Sequence, residues 1–268
     1  MLKLRVVTAA ILIPLVLYIL FAATPEVFRF ATAVLVCLAA WEWPTLMGRS
    51  NVLMRMGYVI MLVAFLFITQ LLPLTWLLTI ATLGWLIHAY WVIHYPEKRI
   101  QWAGAWQVGS MGIQVIIPCF VALNYLRELP HAHLLLIILL LLIWGADTSA
   151  YFVGRRYGRS KLIPEVSPNK SWQGFYAAIA CGFLIAVIAI ICLNDVFNGH
   201  GLGFLILALL TTLASVLGDL TESMLKRAQG VKDSGNLLPG HGGILDRIDS
   251  LTAAAPVYTL GIVLLGIN

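Results

Sequence analysis

"LLLIILLLLIWGADTSAYFVGRRYGRSK", residues 134–161, decides the fold. Its first ten residues are all leucine or isoleucine, and the run continues to Val153 with Asp147 as its one charge. A helix of that length crosses a hydrocarbon core about 30 Å thick. It ends in four bases, Arg155, Arg156, Arg159 and Lys161. An apolar span that stops at a basic cluster reads as a transmembrane helix with that end in the cytoplasm.

Outward from this span the rest of the chain follows suit. The 268 residues are 61% hydrophobic and 11% charged, against about 25% charged in a soluble domain. Mean hydropathy is +0.93. Nine segments qualify as spans, roughly 6–23, 27–47, 53–72, 75–95, 105–126, 133–153, 173–193, 201–220 and 251–267. None shows the alternation of a barrel strand, and backbone in lipid must satisfy its own hydrogen bonds. The expected fold is therefore all-α, a polytopic integral membrane protein of about nine transmembrane helices.

The first segment also has the basic start and apolar run of a cleaved signal peptide. Loop charge separates the two readings. With the N-terminus cytoplasmic, 15 of the 17 Lys and Arg residues lie inside and only Arg29 and Arg127 outside, which favours nine spans and an external C-terminus. The net charge of +5 is then a topology signal, and the chain lacks the extended basic surface that nucleic acid requires. Cys37, Cys119, Cys181 and Cys192 each sit in an apolar span without C-x-x-C spacing, which suits core residues better than disulfides or metal ligands.

Polarity divides the chain. Residues 1–130 hold short loops and few polar groups, a scaffold region that also offers a homodimer face. Residues 131–268 hold two long polar connections, 154–172 and 221–250. Seven of the 12 acids lie in or beside them, Asp147, Glu165, Asp219, Glu222, Asp233, Asp246 and Asp249, with nine of the 17 bases. Chemistry on a charged, water-soluble substrate belongs there.

Asp147 sits about two turns inside its span. An acid at that depth costs roughly 2.5–3.5 kcal/mol on insertion scales and calls for a cation, whether in a functional site or in a structural ion pair. Asp219, Glu222, Ser223 and Lys226 stand at i, i+3, i+4 and i+7, a polar stripe along one helix face leaving the membrane. After Lys232 and Asp233 comes "SGNLLPGHGGILDRID", whose glycines, Gly242 and Gly243 among them, let backbone approach a ligand and turn N–H groups toward phosphates. Asp246, Arg247 and Asp249 follow. Carboxylates beside a cation, with no cysteine, suit Mg²⁺ bound with phosphate and not Zn²⁺. His241 fits three roles equally: phosphate donor, general acid or base, or packed loop residue.

The full pattern is Ser223-x-x-Lys226-Arg227, Lys232-Asp233, then Pro239-Gly240-His241-Gly242-Gly243-x-x-Asp246-Arg247-x-Asp249. It resembles the signature of the phosphatidate cytidylyltransferase (CDP-diacylglycerol synthase) family. The stretch from Trp144 onward, with Ser167-Pro168-x-Lys170, is similar to that family's second shared region. The resemblance implies transfer of CMP from CTP to phosphatidic acid with release of pyrophosphate, dependent on one or two Mg²⁺ ions, at the cytoplasmic membrane of a bacterium.

On that expectation Asp219 and Asp246 hold the metal, with Asp249 and Asp147 as further ligands or as carboxylates that orient a base. Lys226, Arg227 and Arg247 neutralise the triphosphate or the lipid phosphate, Lys232 the departing pyrophosphate, and Ser223 hydrogen-bonds a phosphate oxygen. Ser167 and Lys170 complete the nucleotide side. Two rivals share the general plan: a CTP-dependent polyprenol kinase, and a lipid transporter that uses Asp147 and Asp219 along its pathway.

Overall fold

Side chains cap three of the helix starts among the described residues. In the computed structural model, which describes residues 10, 14–197 and 199–267, Thr24 caps helix α1 (Pro25–Leu46), with Pro25 at the first helical position. Asn51 Oδ1 accepts from Met54 N at 2.8 Å at the start of α2 (Val52–Thr69). Next come α3 (Leu74–Ile93), a single turn α4 (Arg99–Trp102), α5 (Ala105–Glu128) and α6 (Ala132–Tyr157). A hairpin of β1 (Lys161–Ile163) and β2 (Ser167–Ser171) leads into α7 (Trp172–Cys192), where Ser171 Oγ accepts from Gly174 N at 3.2 Å. The chain ends with the short α8 (Asn194–Phe197), α9 (Gly201–Gln229) and α10 (Leu245–Leu265).

Eight helices among the described residues are long and apolar enough to cross a membrane, and each matches an expected span. The ninth expected span, 6–23, lies partly outside the described residues; 14–21 is helical. Lys3 and Arg5, which entered the charge count, also lie outside them. The two most apolar helices, α2 and α7, with hydropathies of 2.2 and 2.7, bury only 11% and 22% of their windows inside the protein. Apolar surface left uncovered by protein is what lipid as solvent permits. All four cysteines are unbridged.

Two boundaries differ from expectation at the site end. Helix α9 runs to Gln229 and α10 begins at Leu245, so the connection is 230–244 and not 221–250. Asp246, Arg247 and Asp249 are helical residues. The connection after α6 is likewise a hairpin and not an open loop: β1 and β2 pair antiparallel with Lys161 opposite Ser171 and Ile163 opposite Ser167. Val166 at its turn is fully buried.

Small residues bring the site helices together. A Cβ on Gly218 of α9 would stand 2.4 Å from Asp249 O of α10, and one on Gly174 of α7 would stand 2.8 Å from Ala150 O of α6. Such contacts let backbones approach where no hydrophobic effect between helices is available. Gly218→Val is therefore expected to cost about 1–3 kcal/mol through overpacking. The check is the thermal midpoint in detergent, with Gly57→Ala as control because nothing lies within 4 Å of a Cβ there. Equal midpoints for the two variants would remove the close-approach argument.

Residues 1–130 and 131–268 pack on one another, since α5 lies against both α1 and α10. One apolar cluster joins Leu78, Leu126, Leu139, Phe204 and Tyr258. A second, around Trp43, Tyr58, Trp102, Met224 and Leu245, reaches Val166 of the hairpin and lies under the polar residues.

Candidate active site

Two consecutive turns of α9 set the site. The 3.6-residue period puts Asp219, Glu222, Ser223 and Lys226 on one face, and each finds a partner on another element or along the helix. Lys170 Nζ, at the end of β2, meets Asp219 Oδ2 at 2.7 Å, and Ser223 Oγ donates to Asp219 Oδ1 at 3.3 Å. One turn on, Lys226 Nζ lies 3.0 Å from Glu222 Oε1 and 2.6 Å from Asp246 Oδ1 of α10. The two lysines thus bridge the hairpin to α9 and α9 to α10.

Asp246 is the most heavily bonded of the acids. Besides Lys226 it accepts from Ser234 N at 3.0 Å, Ser234 Oγ at 3.1 Å and Gly243 N at 2.8 Å. A carboxylate in the first turn of α10 also meets the positive end of the helix dipole. Asp249 is one turn further on the same face. Its Oδ1 accepts from Ser250 N at 2.7 Å, and its side chain is close enough to interact with Asp219, Lys226 and Lys170. Asp147 of α6 interacts in the same way with Asp219 and Lys170.

Five carboxylates, Asp147, Asp219, Glu222, Asp246 and Asp249, therefore gather around two ammonium groups. At 4 Å and an effective dielectric of 20, each unit charge pair is worth roughly 4 kcal/mol. With all five ionised the acids outnumber the ammonium groups by three, an arrangement that a bound cation would stabilise. Beyond the Lys226 ammonium 3.0 Å from Oε1, neither Glu222 oxygen has a hydrogen-bond partner, nor has Thr221 Oγ1, although both side chains are buried. With Asp249 and Thr252 they line a cavity of about 10 Å³. Hard oxygens of this kind fit Mg²⁺. Among the described residues no three His, Cys, Asp or Glu side chains form a ready-made metal cluster. An ion here would draw much of its coordination from phosphates and water, as Mg²⁺ commonly does.

Other residues singled out in the sequence stand further from this cluster. Arg227 Nε donates to Val166 O at 3.3 Å, which ties α9 to the hairpin. Arg247 Nη2 donates to His241 O at 2.6 Å. Lys232 is exposed and, among the described residues, forms no ion pair within 4 Å. Ser167 opens β2, half-buried. His241 Nδ1 is buried without a hydrogen-bond partner. Gly242 takes φ +85°, and a Cβ on it would lie 2.9 Å from Asp246 Oδ2. The glycines of this loop thus serve its approach to Asp246, and Gly243 N is engaged by that carboxylate.

Two residues of the site were not singled out in the sequence. Glu42 of α1 is fully buried, and its Oε2 accepts from Leu245 N at 3.0 Å and lies 3.3 Å from Ser234 Oγ. The depth criterion that marked Asp147 marks Glu42 as well, in "AAWEWP". Ser234, in "KDSGN", carries no such signal. Beside them a cleft of about 450 Å³ opens between the α1–α2 turn and the 231–237 loop, with Thr45, Arg55, Asp233 and Asn236 on its walls.

The cytidylyltransferase family matches residues 3–265. The chain is similar to a phosphatidate cytidylyltransferase of Pseudomonas aeruginosa, 42% identical over 262 residues that cover 96% of each chain. A protein of the same name from Haemophilus influenzae is 38% identical over 97% of this chain and 98% of its own length. With nearly the whole chain matched on both counts, this multi-pass membrane protein belongs to the cytidylyltransferase family.

Proposed function

We propose that the chain is a CTP:phosphatidate cytidylyltransferase: a phosphate oxygen of phosphatidic acid attacks the α-phosphorus of CTP, the bond from that phosphorus to the bridging oxygen breaks, and pyrophosphate leaves. CDP-diacylglycerol is the second product. The observation that carries the reading is the cluster of two lysines and five carboxylates at the polar ends of α9 and α10, in a chain whose full-length relatives bear that enzyme's name.

The chemical difficulty is repulsion. A phosphomonoester carries about −1.5 to −2 at neutral pH, by analogy with a phosphorylated side chain, and must approach a triphosphate more negative still. Little covalent work falls to the protein; positioning and electrostatic stabilisation dominate such transfers. No general base is needed for an attacking phosphate already ionised at pH 7, so His241 is left to shape the loop.

Asp219 and Asp246 would hold Mg²⁺, with Glu222, Asp249 and Asp147 close by for a second ion or for orienting the lysines. The ion, when bound, neutralises phosphate oxygens and draws electron density from the α-phosphorus. Lys226 and Lys170 are the ammonium groups nearest that position. Arg227, Arg247 and Lys232 supply positive charge at the rim, where the triphosphate and pyrophosphate pass, and Ser223 and Ser167 offer hydroxyls. The positive-inside distribution supports a cytoplasmic position for this end of the helices, with the bacterial inner membrane as the setting. CTP then arrives from water while the lipid chains stay among the helices.

Pyrophosphate release by the purified protein in detergent tests the proposal, with phosphatidic acid, CTP and Mg²⁺ omitted in turn. Release is expected only when all three are present. CDP formation from CTP with a polyprenol in place of phosphatidic acid, or lipid movement without CTP, would replace it with one of the two rivals.

A further inference from the structure

We propose that Glu42 is a positioning residue for the reaction above: from the N-terminal helices it sets the 230–244 loop and thereby the placement of Asp246. The inference rests on the proposed cytidylyl transfer for its kinetic consequence, and on geometry alone for its structural one.

The contacts form one connected path. Glu42 Oε2 accepts from Leu245 N at 3.0 Å, the residue at which α10 begins, and lies 3.3 Å from Ser234 Oγ. The same Ser234 hydroxyl stands 3.1 Å from Asp246 Oδ2, and Asp246 Oδ1 is 2.6 Å from Lys226 Nζ. A hydroxyl has one proton to donate, so Ser234 serves either carboxylate and couples the two. Ser234 is itself fully buried.

Two glycines are matched to this acid. A Cβ on Gly235 would lie 2.2 Å from Glu42 Oε1, and one on Gly243 would lie 2.5 Å from Glu42 Oε2. Both ends of the loop therefore close down on one side chain, each possible only without a Cβ. General stability does not explain an acid there. An acid in an apolar span is costly, and replacing buried polar groups with well-packed apolar ones is often neutral or stabilising. What an apolar residue cannot do is accept from Leu245 N and hold Ser234 while the loop carries Asp246 into place.

The test pairs Glu42→Ala with Glu42→Gln, whose side-chain oxygen can still accept from Leu245 N and Ser234 Oγ. Ser234→Ala is the second variant, should Glu42→Ala fail to fold. Hydrogen exchange of the full-length protein in detergent is read together with kcat and KM for CTP and phosphatidic acid. Expected for Glu42→Ala is faster exchange confined to 230–244, a kcat lowered roughly tenfold to a hundredfold as for an ångström-scale misplacement, and nearly unchanged KM for phosphatidic acid. Glu42→Gln should stay within about threefold of wild type, in line with the tolerance of a supported site.

Unchanged exchange in 230–244, or exchange raised equally in α6 and α7, would overturn the proposal; the second outcome makes Glu42 an ordinary core residue. A wild type without CTP-dependent release would sink the proposed function while leaving the exchange result to judge the loop anchor.

Discussion

Replacing Asp246 with alanine is expected to lower pyrophosphate release by about a hundredfold to a thousandfold, the range for loss of one preorganised electrostatic group. The size of the effect follows from how many groups this carboxylate organises. It is the shared acceptor of Lys226 Nζ, Ser234 N, Ser234 Oγ and Gly243 N, so its removal releases the lysine and both ends of the 230–244 loop at once. Under the proposed function it also removes a metal ligand. Asp246→Asn separates the two contributions. The amide keeps one oxygen to accept from Ser234 and Gly243 but turns N–H groups toward donors and offers a poorer ligand to Mg²⁺. Loop order, read by hydrogen exchange over 230–244, should largely survive in Asp246→Asn while turnover does not. Turnover within threefold of wild type in Asp246→Asn would show that the charge is dispensable.

The helices were legible because lipid imposes one simple requirement. Eight spans match the expected segments, since a run of apolar residues is both the cause of membrane insertion and its visible mark. The same signal misplaces the ends that matter. Hydropathy falls at Asp219, but the α9 backbone continues to Gln229, with Lys170 and Lys226 compensating the acids on its face. The window for α10 likewise opens after Asp249, while the helix begins at Leu245, where Glu42 receives its N–H. Apart from the i,i+4 pair Glu222–Lys226, this compensation is not local. The pairs Lys170–Asp219 and Lys226–Asp246 join residues on different elements, and no spacing rule connects them. The hairpin was hidden for another reason: strands of three and five residues, one reading Ser-Pro-Asn-Lys-Ser, are too short and too polar to alternate. Of the candidate site, the signature marked the α9 face and the loop beside which the charged groups gather. The contribution of α1 went unread because only acids beside the long connections were weighed.

Lys226→Met should cost about 3–5 kcal/mol of stability, the range for stripping one partner from a buried ion pair. The Lys226, Glu222 and Asp246 side chains are only 14%, 6% and 7% exposed, so water does little to replace the lost ammonium. The two acids left behind are not equivalent. Asp246 keeps its bonds from Ser234 and Gly243, whereas neither Glu222 oxygen has a hydrogen-bond partner and the ammonium at 3.0 Å is its nearest compensation. Most of the cost should therefore reside in Glu222. Adding Glu222→Gln to Lys226→Met should restore much of the thermal midpoint, and adding Asp246→Asn should restore little. Turnover should stay low in all three, because the ammonium that faces the phosphates in the proposed reaction is gone from each. Unfolding midpoints in detergent, measured as a double-mutant cycle, decide the matter. Equal recovery by the two second-site changes would mean that the acids share one charge deficit; recovery by neither would mean that Lys226 stabilises through the packing of its stem.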